Sequence, residues 1–529
     1  MLVALPAAGG SGRSGVCLEA PHPYPSRPLP SVIPRTDQLL KNPAALVALL
    51  ALGQIVAWTL APVLTHRAPP LDVVEGYMWG REWVIATYKH PALPSWVLEA
   101  GHTLTGAIGW PAYLTSQLFI AATFIFAYLL GRDMMGPRRA AAGTLLLTGI
   151  AFYAWPTPEF NHNVAETPFW AALPWAAWHA VERRRVGWWM LAGLLAAGGL
   201  YAKLTTALLI VTLAAWILWD ARARQTLATP GPWIGLAVLL VLIAPLAVWL
   251  IAHDFLPLQY AAERSGQPHA GGIIMFLLSV GLNLVGVLLM LAFAGLVWPW
   301  RRLLGGKSAP EPPPTPVDPR ALAYLVVLTF GPLAIAVTAA LVSGSNLKSA
   351  WGSSMFNLAG LLAIALTNDR FDNVALRRIA AAAALILVVV PLAYAAVVAA
   401  GPWREGSPVR VTWPQAAISK RLTAVWERET GRPLRIVAGE DWIAGLVGIT
   451  AKDRPSILNR GRLAYSPWIT PERIEREGML IVWDAAGWRI PPQLEPLMQG
   501  ARTGEERFLW RKKEGSGDLV IGYAIVPPK

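Results

Sequence analysis

Long apolar runs decide what this chain can become. A membrane crossing takes about 20 mostly apolar residues in helical form. Eleven stretches qualify as candidates, over 43–65, 110–131, 140–157, 164–181, 187–201, 203–219, 233–252, 271–299, 321–343, 352–367 and 377–400. Lipid offers no partner to backbone N–H and C=O groups, so such stretches are restricted to helices. Composition agrees, because only 15% of the 529 residues are charged, against about 25% in an ordinary soluble domain. The expected fold class is therefore an α-helical polytopic membrane protein with about eleven transmembrane helices. The two stretches flanking Ala202 are short, and read either as two spans or as one long, bent one.

Basic residues set the orientation. Arg132, Arg138 and Arg139, then Arg183 to Arg185, Arg222 and Arg224, Arg301, Arg302 and Lys307, and finally Arg370, Arg377 and Arg378 occupy alternate connections. The positive-inside rule puts that set and the N-terminus in the cytoplasm. The expected location is a bacterial inner membrane, crossed many times, with the intervening loops and the C-terminal segment in the periplasm. The net charge of +13 is accounted for by arginines at span ends, so no nucleic-acid partner is expected. Cys17 is the single cysteine, which excludes an intrachain disulfide and a cysteine-based metal site.

Three regions follow from composition. Residues 1–40, rich in Pro, Gly and Ser, read as a disordered tail and not as a cleavable signal. Residues 41–400 form the membrane region, with a flexible linker over 304–320. Residues 401–529 are more charged and carry strand-like segments at Leu434–Ala438, Met479–Trp483 and Leu519–Val526, with helices at Trp413–Thr430 and Pro471–Glu477. They are expected to form a small periplasmic α/β domain capping the outer membrane face.

Ionisable residues are expensive near a bilayer, so their clusters are site hypotheses. Asp72 and Glu75 are three residues apart and share a face on a helical turn. One carboxylate could take a proton from an attacking hydroxyl while the other orients it; the plainer alternative is a solvated loop or an acid paired with Arg81 or Lys89. Lys89 and His90, in Tyr88-Lys89-His90-Pro91, suit a phosphate. Lys203, with no compensating acid nearby in sequence, and Lys348 are two further isolated lysines on the side where positive charge is disfavoured. Tyr77, Glu159, Asn161, Asn163, His253, Asp254 and Trp351 lie in or beside the external connections and suit sugar or acceptor hydroxyls. No cofactor is demanded. A divalent cation is compatible, with His90, His162 and Asp254 as ligands, although no tight spacing marks a metal site.

The order Asp72-x-x-Glu75, Tyr88-Lys89-His90-Pro91-x-Leu93, Phe160-Asn161-x-Asn163, Lys203-x-Thr205 and Lys348-x-x-Trp351 resembles bacterial members of glycosyltransferase family 39. These are relatives of dolichyl-phosphate-mannose protein mannosyltransferases and of the lipid A aminoarabinose transferase. The resemblance covers roughly residues 40–400. It implies a GT-C-like fold and a polyprenyl-phosphate-linked sugar as donor. It places Asp72 at the family's essential acid, Lys89 and His90 near the donor phosphate, and Lys203 and Lys348 on the same cavity. Two departures stand out. Pro91-Ala92 replaces a Pro-Pro pair, and the acid that some relatives carry near Asn163 is represented only by the flanking Glu159 and Glu166.

The expected function is an inverting glycosyl transfer at the periplasmic face, to a lipid, glycan or protein acceptor. Its partners would be the lipid-linked donor, that acceptor and the surrounding membrane lipids. A transporter or flippase of a lipid-linked substrate is the rival of a different class. Against it, the acids and lysines fall in outer loops and not in paired, broken helices at mid-bilayer.

Overall fold

The computed structural model describes residues 40–265, 271–297, 316–367, 370–401, 409–485, 490–510 and 518–529. The 1–40 tail with Cys17, apart from residue 40, and the basic connection Arg301–Lys307 with most of the 304–320 linker lie outside those residues. The first span is α1 (Pro43–Thr65), opened by the Asn42 side chain, which accepts from the Ala45 N–H at 3.2 Å. Two shorter helices follow, α2 (Leu71–Gly80) and α3 (Leu93–Thr105). The acidic segment identified from the sequence is thus a helix. The chain continues through α4 (Trp110–Met135), α5 (Pro137–Leu146), α6 (His162–Arg183), α7 (Val186–Ala202) and α8 (Thr206–Trp219). Next come α9 (Pro230–Ala252), α10 (Leu256–Ser265), α11 (Gly271–Asn283), α12 (Val285–Ala294), α13 (Pro319–Ser343), α14 (Ala359–Leu366) and α15 (Asn373–Ala400).

Six of these stretches are long and apolar enough to cross a membrane: α1, α4, α9, α11 with α12, α13 and α15; a seventh is reached if α8 and the sharply bent turn over 221–228 count as one. Of the other expected spans, 164–181 and 187–201 are the helices α6 and α7, and two take other forms. Over 140–157 helix α5 ends at Leu146 and passes into 3-10 turns, and over 352–367 only α14 is α-helical. Residues 141–150 are all buried, which is the condition under which irregular backbone survives at membrane depth. Small residues permit this packing: a Cβ on Gly360 would overlap the Gly143 carbonyl. In contrast, Leu240, Val241 and Val248 on α9 are exposed, an apolar surface suited to lipid.

The C-terminal region contains α16 (Gln415–Thr430), β1 (Ile436–Gly439), α17 (Asp441–Thr450), β2 (Ser456–Asn459), α18 (Pro471–Glu477), β3 (Met479–Asp484), β4 (Arg502–Leu509) and β5 (Asp518–Val526). The sheet order is β2-β1-β3-β5-β4, with β1 parallel to β2 and β3, and β5 antiparallel to β3 and β4. All three strand-like segments named from sequence are strands. Side chains alternate as a strand requires. Val437, Ile457, Leu480 and Val482 join the core that runs into the helices, whereas Ile436, Ala438, Leu458 and Ile481 form a separate outer cluster.

Three contacts seat this region on the helices. The Arg67 and Ala68 N–H groups donate to the Val411 carbonyl at 2.8 and 3.1 Å. Arg454 grips the buried Glu99 carboxylate of α3 with two bonds of 2.7 Å. Helix α17 lies against α2 so closely that a Cβ on Gly445 would meet the side chains of Val74 and Met78.

Candidate active site

Helix α2 supplies the acids. Its backbone N–H at Asp72 donates to Glu159 Oε1 at 2.9 Å, and Asn161 Nδ2 donates to Asp72 Oδ2 at 2.9 Å. Asn161 is itself fixed as the cap of α6, accepting from the Asn163 and Val164 N–H groups. The connection between α5 and α6 therefore aims one Asp72 oxygen while the side chain stays partly exposed. Enclosure by protein pushes the Glu159 carboxyl up to about 8, with the Asp72 charge adding to the effect.

Glu75 lies one turn along α2 and is buried. It accepts from Lys89 Nζ at 2.5 Å, so the ion-paired alternative weighed for this acid is the one observed. Burial still pushes its carboxyl up, with Asp441 and Asp72 adding to the rise. Lys89 is buried too, and Asp441 Oδ2 lies 3.3 Å from its ammonium on the other side. Burial alone would lower the Lys89 pKa, but Glu75 and Asp441 outweigh it and hold the group charged. Aromatic rings of Trp79, Tyr88 and Tyr260 complete the surroundings, each with its centroid 5.4–5.7 Å from Nζ.

Lys203 occupies the break between α7 and α8. It donates to Asn163 Oδ1 at 2.7 Å and to Glu166 Oε1 at 3.1 Å, and Thr205 Oγ1 donates to Glu166 Oε2 at 2.7 Å. No acid lies near Lys203 in sequence, yet α6 brings Glu166, 37 residues away in the chain, directly to it. Between the two lysines His90 packs on His162, with ring centroids 4.0 Å apart, and His162 Nε2 lies 3.1 Å from the Pro91 carbonyl oxygen. Burial and the nearby His162, Lys203 and Lys89 hold His90 well below the usual histidine range, so its ring is neutral. Asp72, Glu75, Lys89, His90, Glu159, Asn161, Asn163 and Lys203 are thus one connected assembly.

Other candidates sit apart from these contacts. Tyr77 is fully buried on a different face of α2, edge-on to His102 at 6.2 Å. His253 stacks on Trp249 at 4.1 Å, and Asp254 is exposed with a positive φ of 51°. Lys348 is exposed and, among the described residues, pairs with no carboxylate; Trp351 is half-buried in the 3-10 turn that follows it. Among the described residues no three His, Asp or Glu side chains group to hold a metal ion.

Sequence reasoning missed Asp441 and Arg460 altogether. Asp441 opens α17 and accepts from Tyr88 OH at 2.9 Å, Asn459 Nδ2 at 2.9 Å and Arg460 Nε at 3.0 Å. Despite burial, the neighbouring Lys89 and Arg460 cations hold its carboxyl below the usual range. Tyr465 stacks flat on Tyr88, with centroids 4.0 Å apart. Nothing local in the sequence marks Asp441, because its partner Lys89 is 352 positions away.

Residues 89–249 match the family described as dolichyl-phosphate-mannose-protein mannosyltransferase. No curated protein matches the sequence. The fold is similar to that of ArnT from Cupriavidus metallidurans bound to undecaprenyl phosphate, with a TM-score of 0.60 at 16% identity, covering 90% of this chain and 97% of that one. The likeness at this identity is one of fold, and it spans nearly the whole of both chains. The same ArnT in its apo state gives a TM-score of 0.59 at 14% identity, over the same shares of each chain. Its long apolar helices make the protein a multi-pass membrane one. The family match opens on Lys89 and contains His90, Glu159, Asn161, Asn163, Glu166 and Lys203.

Proposed function

We propose that this protein is a glycosyltransferase that moves a sugar from a polyprenyl-phosphate donor to a lipid, glycan or protein hydroxyl at the periplasmic face of a bacterial inner membrane. Supporting the donor class is the likeness to ArnT, which was crystallised with undecaprenyl phosphate. The observation that carries the proposal is a partly exposed, oriented Asp72 in one connected assembly with buried cations and a neutral imidazole. In this scheme Asp72 accepts the proton of the acceptor hydroxyl as its oxygen attacks the anomeric carbon. The bond from that carbon to the phosphate oxygen breaks, with inversion, and polyprenyl phosphate leaves. Charge developing on the phosphate is stabilised by Lys89 and Lys203, with His90 as a neutral donor and Lys348 as a more distant cation. Glu159, Asn161 and Asn163 face the sugar or the acceptor; His253, Asp254 and Trp351 would line the approach, while Tyr77, fully buried on another face of α2, takes no part.

Purified protein incubated with radiolabelled polyprenyl-phosphate sugars and membrane extract should label an acceptor and release free polyprenyl phosphate. Asp72→Asn should lower that transfer by about 100-fold or more with an unchanged melting temperature. A donor that crosses the bilayer chemically intact, with no labelled product, would overturn the proposal in favour of transport.

A further inference from the structure

We infer that Asp441, carried by the C-terminal region and not by the membrane helices, is a positioning residue that holds the Lys89 ammonium in place for the donor phosphate. This rests on the reading of Lys89 as a phosphate-binding cation. A lysine side chain is a compact charge on a flexible stem, so its usefulness depends on what fixes it. In this protein two carboxylates on separate elements do so. Glu75 approaches from α2 at 2.5 Å and Asp441 from α17 at 3.3 Å.

Asp441 is far more rigidly held than a docking contact requires. It is 5% exposed and is the first residue of α17, where the helix N-terminus favours a negative charge. Oδ1 accepts from Asn459 at 2.9 Å; Oδ2 accepts from Tyr88 OH, Arg460 Nε and Lys89 Nζ. Asn459 is locked in turn, since its N–H donates to Ser466 Oγ at 2.9 Å and its Oδ1 accepts from the same hydroxyl at 3.1 Å. Arg460 balances the Asp441 charge, which leaves the Lys89 charge available to a ligand. Seating of the C-terminal region is secured elsewhere, by Arg454 on Glu99 and by the Val411 carbonyl. Asp441 is therefore free to serve Lys89.

The test measures binding of undecaprenyl phosphate to the full-length protein in nanodiscs, alongside the melting temperature. Asp441→Asn should weaken binding about tenfold, the scale of one charge-assisted hydrogen bond, and Asp441→Glu should recover most of it. Arg454→Ala, which disturbs seating without touching Lys89, should lower the melting temperature and leave binding near wild type. Equal losses in Asp441→Asn and Arg454→Ala would reduce Asp441 to a seating contact and overturn the inference. So would wild-type binding in Asp441→Asn while Lys89→Ala binds weakly. If Lys89→Ala itself binds as wild type, the phosphate role of Lys89 fails first and the inference goes with it.

Discussion

Lys89 and Lys203 are both buried ammonium groups on the same assembly, yet they are held in opposite ways. Lys203 is enclosed by the helices: its partners Asn163 and Glu166 belong to α6, and Glu166 is wholly buried. Lys89 is shared between two regions, with Glu75 on a helix outside the spans and Asp441 beside the sheet. The difference concerns what happens when the cation is removed. Glu166 would lose its cationic partner inside the helices, whereas Glu75 lies on a helix outside the spans, where burial already pushes its carboxyl up. Lys203 is thus bound into the helices, whereas Lys89 is fixed at the junction of two regions.

The largest expected effect tests that contrast directly. Lys203→Met should destabilise the protein by about 3–5 kcal/mol, the range for breaking a buried pair from one side, seen as a sharp fall in melting temperature. Adding Glu166→Leu should restore much of it; a double variant as unstable as the single one would show that the pair is not what matters. Lys89→Ala should instead lower transfer by about 100-fold with only a small change in melting temperature, and a large loss of stability would erase the distinction.

A pH effect is smaller. The Glu159 carboxyl keeps its proton in the folded state to about pH 8, whereas the unfolded chain releases it near 4.5. Folding binds the proton, so this stabilisation is complete below about 4.5 and is lost as pH rises to 8. Melting temperature should fall across that window, and Glu159→Gln should flatten the fall; an identical slope in the variant would remove Glu159 from the account. Smallest is Lys348→Ala. An exposed charge acts through screened attraction, so donor use should drop about two- to fivefold at low salt and by less at high salt.

Much of the helical half was legible because hydropathy and charge placement are local quantities. The lone Lys203 and the Asp72–Glu75 pair already singled out the place where the structure gathers its polar groups. Apolarity did not report helix length, however: within 140–157 and 352–367, residues 141–150 and 352–358 are buried by protein, which also lets the backbone break there. In the C-terminal region β4 escaped notice because it is a charged edge strand, Arg502–Leu509, whose exposed positions protect it from pairing with other chains. Helix α17 carries Gly445 and Gly448, which weaken its helical signature, and with it Asp441 passed unseen. Its role depends on partners that only folding supplies.

Gly445 has a consequence for inheritance. The seat of α17 on Val74 and Met78 has no room for a methyl group, so Gly445→Ala would act as a shim between the two regions. It carries no charge and touches no substrate, yet it sits one turn from Asp441 on the same helix. Lineages that varied this glycine would retune their chemistry through a spacer.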